Sequence, residues 1–317
     1  MSTMQLARMR AYLSSSMASL NQNKLRGTIA EIDLRNYLAQ IGFGNRVSPG
    51  GWIARRKGDI DFAHSTVALF PEVITPVGQY PANRVLPNPS HGLHTICATF
   101  HQSGISSFYC AAVIPTADNY ATMNWHAVEL GLPVQQAYQP LVHALAPLHF
   151  RVRGHVYNYL RYHTDTALIP DTAVAEEFSK EHLRVSFSAT YLAEVSDIDG
   201  IFWGRQYTYP IEIKEKTPAP SSDMGPYFGL DVGPFVKLAF YAAKRGNLHS
   251  LYIVREIDNV EQRNLVQWWF ITFDHMAQFA SWIFRSGGQG MGGGASSVVR
   301  IPRQEFQPLN EQTIGQL

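Results

Sequence analysis

Apolar residues recur at helical spacing from about Asn23 to Gln40. Leu25, Ile29, Ile32, Leu34, Tyr37 and Leu38, and then Ile41, form a broad face that Gly42 and Gly44 end. A helix is expected there. A strand is expected at TVALFPEVI, between the Gly- and Pro-punctuated FGNRVSPGGWIARRKGD and a Pro- and Asn-rich loop reaching Pro89. Residues 93 to 190 give mixed patterns. HTICATFHQSGISSFYC reads as a hairpin turning at Ser103 and Gly104, with Cys97 facing Cys110. NYATMNWHAVELGL, VQQAYQPLVHALA and the shorter VAEEFSKEHL read as helices, and RVRGHVYNYLRYH is a segment rich in Arg, His and Tyr.

The chain then becomes regular. ATYLAEVSDI with GIFWG, YTYPIEIKE, LHSLYIVREI and LVQWWFITF predict strands. GPFVKLAFYAAKRG predicts a helix ended by Gly246, and DHMAQFASWIF another capped by Asp274. RSGGQGMGGGASS reads as a flexible linker before a short tail. Alternating strands and helices imply the α/β or α+β class, a central mixed sheet flanked by helices.

Composition narrows the partners. At 317 residues and 45% hydrophobic content the chain can bury a sizeable core. Its 26 Lys and Arg nearly cancel 25 Asp and Glu, so any nucleic-acid surface must be local. Candidate patches are Arg55, Arg56 and Lys57; Arg151 and Arg153; Lys244 and Arg245; and Arg300 and Arg303, each a solvated surface cluster when taken alone. No apolar run reaches the ~18 residues of a membrane span, and the N-terminal stretch lacks a signal-like apolar core. A cytoplasmic protein without a membrane partner is expected. Cys97 and Cys110, with His94 and His101 nearby, match no zinc-ligand spacing and read as buried small side chains. GGQGMGGG lacks the GK[ST] of a phosphate loop. The aromatics of VQWWFITF read as sheet core, and Lys237 as a snorkelling surface lysine.

The chemistry concentrates in DIDGIFWGRQYTYPIEIKEKT. Glu212 and Lys214 are two residues apart and share a strand face. A hairpin turning near Arg205 and Gln206 sets Asp199 opposite Glu212 and Asp197 opposite Lys214. Carboxylates crowded on a rigid sheet resist ionising together unless a cation neutralises them. Oxygen ligands with open positions suit Mg²⁺, and a lysine beside it can position an attacking water. The plainer alternative is a cross-strand ion pair, worth roughly 0.2–1 kcal/mol. An earlier DID at Asp59 and Asp61 also precedes a glutamate, Glu72, but Ile74 stands where a lysine would, and Phe70, Pro71 and Pro76 break up the strand. These acids read as structural.

SDIDGIF, PIEIKEKT and the helix and hydrophobic strand after them resemble the core of the PD-(D/E)XK nuclease superfamily, most of all its type II restriction endonucleases. LRGTIAEIDLRNYL is similar to the first core helix of that family. Ser196, Asp197 and Ile198 stand where the motif has its proline.

The resemblance implies metal ligands at Glu31, Asp199 and Glu212, a catalytic lysine at Lys214, Mg²⁺ as cofactor, and a homodimer cutting double-stranded DNA. The domains it implies are 1–64, the N-terminal part of the nuclease core; 65–185, a DNA-recognition insertion; 186–285, the catalytic core; and 286–317, a Gly-rich loop and tail. Arg55, Arg56, Lys57, Arg151 and Arg153 are the expected DNA contacts. A structure-specific junction resolvase of the same fold and a non-catalytic DNA-binding protein with a degenerate core are the alternatives.

Overall fold

The computed structural model describes residues 3–17, 22–56, 66–74, 89, 91–113, 123–134, 136–148, 150, 166–185, 192–244, 246–286 and 297–317. The class is α/β, with mixed sheet flanked by helices. The chain divides into two compact units. One holds Met1–Ile32 and Pro49–Ile198, the other Asp33–Ser48 and Asp199–Leu317. Helix α2 (Gln22–Gln40) and strands β1 (Val47–Arg56) and β6 (Leu192–Trp203) run through the divisions.

In the first unit β1 pairs antiparallel with β2 (Thr66–Ile74), and β2 parallel with β3 (Ser106–Val113). Antiparallel β4 (Trp125–Leu130) and β5 (Gln139–Pro140) continue the order, followed by the short helix α4 (Leu141–Leu145). Helices α1 (Thr3–Met17) and α5 (Asp171–Val185) supply Met9, Tyr12, Leu13, Val174 and Phe178 to a core shared with Trp52, Leu69, Phe108 and Trp125.

Several expectations are corrected here. Helix α1 was not anticipated, although Met9, Tyr12 and Leu13 have helical spacing and are almost completely buried. The proposed first arm of the cysteine hairpin is instead helix α3 (His91–Gln102). Leu93, Ile96, Cys97 and Phe100 follow the helical period and are all buried, and Gly104, at φ 76°, makes the turn into β3. Cys97 on α3 and Cys110 on β3 are both buried and unbridged. WHAVEL forms strand β4 rather than a helix, because its backbone pairs with β3 from Trp125 to Leu130. Strand β2 runs unbroken through Pro71, which lies beyond the last β1 pair, Trp52 with Leu69. Its missing N–H costs no ladder bond there.

In the second unit β7 (Thr208–Lys216) pairs antiparallel with β6 and parallel with β9 (Leu251–Ile257). Strand β10 (Leu265–Thr272) and the short β13 (Gln307–Pro308) extend the order antiparallel. The connection from β7 to β9 holds β8 (Tyr227–Asp231) and helix α6 (Val232–Ala242). Helix α7 spans Phe273–Phe279, with Thr272 at its N-cap and Asp274 in its first turn, and SWIF continues as strand β11 (Ser281–Ser286) instead of helix. The tail is structured: β12 (Ser297–Pro302) pairs with β8 and β11, and α8 (Glu311–Ile314) carries a capping box at Asn310.

Phe228, Leu230, Phe235, Leu238, Tyr252, Val254, Ile271, Met276 and Phe306 form the core between the strands and α6. The C-terminal half of α2 contributes Tyr37, which stacks on Trp268 and donates to the Leu309 carbonyl at 2.9 Å. Trp268 and Phe270 are buried, as expected of sheet core. Among the described residues no helix is long and apolar enough to cross a membrane.

Candidate active site

The β6–β7 hairpin pairs Gly200 with Ile211 and Trp203 with Thr208. Asp199 directly precedes Gly200, and Glu212 directly follows its partner Ile211. Asp199 is buried, and its Oδ2 accepts a 2.7 Å hydrogen bond from the Ile213 backbone N–H, which fixes the carboxylate against β7. Glu212 is only 2% exposed. Its Oε1 lies 2.6 Å from Lys214 Nζ and its Oε2 2.5 Å from Lys237 Nζ.

Alternation along β7 puts Glu212 and Lys214 on the face that packs against α6, and α6 delivers Lys237 to the same carboxylate. Lys237 is therefore not a snorkelling surface lysine. Its side chain is 17% exposed and it is committed to Glu212. Burial opposes ionisation of Glu212, but Lys214 and Lys237 outweigh it and hold its pKa down to about 2. Burial likewise opposes the charge on both lysines, and Glu212 followed by Asp199 overcomes it, raising both above the ordinary lysine value. Opposite Glu212 on β9, burial and then the charges of Glu212 and Asp231 push the Tyr252 phenol well up, so it stays neutral.

The other face of β7 is occupied by a separate ion network. Glu215 pairs with Arg263 and, at 2.9 Å, with Arg255, and Arg255 reaches Asp33 on α2 at 3.4 Å.

Glu31 lies in the first unit, on α2. It is buried, with Oε2 2.6 Å from Lys180 Nζ on α5, and Lys180 also reaches Glu177 at 3.2 Å. Carboxylate oxygens of Glu31 and Asp197 lie within 4.8 Å of each other. A cation on this pair would compete with Lys180. Asp197 precedes Asp199 by two residues on β6, and Lys214, its expected partner, is engaged by Glu212.

Of the expected DNA contacts, Arg55 is half-buried and Arg56 ends β1; Lys57, Arg151 and Arg153 lie outside the described residues, as do Asp59 and Asp61. Arg300 and Arg303 are structural rather than solvated. Arg300 packs over Tyr227 near Asp223, and Arg303 packs over Trp269 and pairs with Glu256 at 2.9 Å. Lys244 lies over the Phe240 ring.

Lys237 and Lys180 are the residues that sequence reasoning missed. Lys237 is the one charged residue of an otherwise apolar helix, between the buried Phe235 and Leu238. Lys180 stands three residues after Glu177 and two after the buried Phe178. In both cases the signal was a cation set among core positions.

The donor chemistry of Asp199 and Glu212 suits a hard divalent cation, since both present carboxylate oxygens from a rigid hairpin. The two lysines now neutralise Glu212, so a metal there must displace at least one of them. Comparison of the chain with family models, with curated proteins and with solved structures returns no match.

Proposed function

We propose that the chain is a Mg²⁺-dependent endodeoxyribonuclease of the type II restriction class, acting as a homodimer on a short sequence in double-stranded DNA. The reading is carried by one observation: Glu212 and Lys214 pair on one face of β7, and the buried Asp199 carboxylate, held by the Ile213 N–H, acts on Lys214 electrostatically. Asp199 and Glu212 would hold the metal, and the PD-(D/E)XK resemblance assigns Glu31 the same role. When bound, Mg²⁺ supplies positive charge at the scissile phosphate and favours ionisation of water. Lys214, whose side chain is 31% exposed, orients the attacking water by donating a hydrogen bond to it and stabilises the phosphorane-like charge. Lys237, released from Glu212, adds a second cation at the phosphate. The 65–185 region would read base edges.

Pairing of both Glu212 oxygens with lysines favours a second reading, a DNA-binding protein whose core is neutralised without metal. Incubation with phage DNA and Mg²⁺, with an EDTA control, separates the two on a gel. Discrete Mg²⁺-dependent fragments support the nuclease. Intact DNA with a mobility shift supports the second reading and overturns the first.

A further inference from the structure

Strand β7 carries another lysine on the face of Glu212 and Lys214. Residues two apart on a strand share a face and stand about 6.6 Å apart, a step comparable to that between neighbouring phosphates along one polynucleotide strand. Lys216 occupies the next such position after Lys214 and is half-buried.

The acids around it are engaged elsewhere. Its cross-strand neighbour on β9 is Glu256, which in a parallel pair shares its face. Oε2 of Glu256 already accepts from Arg303 Nε at 3.1 Å, from Arg303 Nη2 at 2.9 Å and from Trp269 Nε1. Glu215 points to the opposite face, to Arg255 and Arg263. Asp231, at the start of α6, acts on Lys216 electrostatically, but among the described residues Lys216 forms no ion pair. Burial draws its pKa below the ordinary lysine value, against the pull of Asp231 and with the repulsion of Lys214. A partly desolvated cation with no close counter-ion is costly, and an incoming anion relieves that cost.

We propose that Lys216 is a backbone clamp, binding the phosphate next to the one that Lys214 meets on a polynucleotide substrate. The inference rests on the nuclease reading, but its test does not require cleavage. Binding of a fluorescent short duplex of random sequence is followed by anisotropy over a range of salt concentrations, with Ca²⁺ in place of Mg²⁺. The wild-type chain is compared with Lys216→Gln and Lys216→Arg, and with Lys216→Met if the Gln variant does not fold. Neutralising Lys216 is expected to weaken binding about threefold and to reduce the slope of log affinity against log salt by about one, whereas Arg restores both. Unchanged affinity and slope in the neutral variant, beside a wild type that binds, overturn the clamp and leave the nuclease reading standing. A wild type that does not bind DNA overturns both.

Discussion

Lys237 Nζ stands 2.5 Å from Oε2 of Glu212, joining the helix that follows the hairpin to the carboxylate at its centre. With Lys214 on Oε1, a buried glutamate is held between two cations from different elements. The lysines bring positive charge to the carboxylate where the proposed metal would.

Removing one of them tests this relation. Lys237→Met should destabilise the protein by about 3 kcal/mol in urea unfolding, because a buried carboxylate loses one of its partners. Millimolar Mg²⁺ should restore part of that loss if the cation takes the vacated oxygen. Stability unchanged by the substitution would show that the pair is not a stabilising contact.

The low pKa of Glu212 sets an acid limb. Its folded value of about 2 lies below its ordinary value of 4.5, so its contribution is complete above about 4.5 and lost as pH falls towards 2. Unfolding free energy, followed by urea titration across that window, should fall less steeply in Glu212→Gln than in the wild type. Equal slopes would remove Glu212 from the acid response.

In the first unit Lys180 sits between Glu31 and Glu177. Lys180→Met leaves two buried carboxylates without it, and a loss of about 3–5 kcal/mol is expected. Adding Glu31→Gln to that variant should recover part of the loss, as a double-mutant cycle measures. Additive effects would contradict a direct pair.

Burial pushes the thiols of Cys97 and Cys110 up. Neither should react with iodoacetamide in the native protein at neutral pH, and both should react in guanidinium. Rapid native labelling would contradict their burial.

Local pattern made much of the second unit legible. The β7, β9 and β10 segments read as strands, and the turn between β6 and β7 follows from the spacing of Asp199 and Glu212. The same reasoning failed where two periods overlap. Leu93, Ile96, Cys97 and Phe100 have helical spacing, but the turn signal at Ser103 and Gly104, with Cys97 set against Cys110, suggests a hairpin. WHAVEL sets its polar His126 and Glu129 three apart, which fits a helix, and pairing with β3 makes it a strand. The partners of the site were less legible. Lys237 is separated from Glu212 by an intervening strand and helix entry, and Lys180 from Glu31 by 149 positions. No local period encodes such contacts; packing creates them.

The central claim is that Asp199, Glu212 and Lys214 form a hydrolytic centre. Its most direct test is the single-turnover rate of DNA cleavage in Mg²⁺ by the wild-type chain and by Lys214→Ala, with circular dichroism showing that both are folded. Cleavage by the wild type and a loss of at least about 100-fold in the variant are predicted. Wild-type rates in Lys214→Ala, or no cleavage by the wild type under any Mg²⁺ concentration, would contradict it.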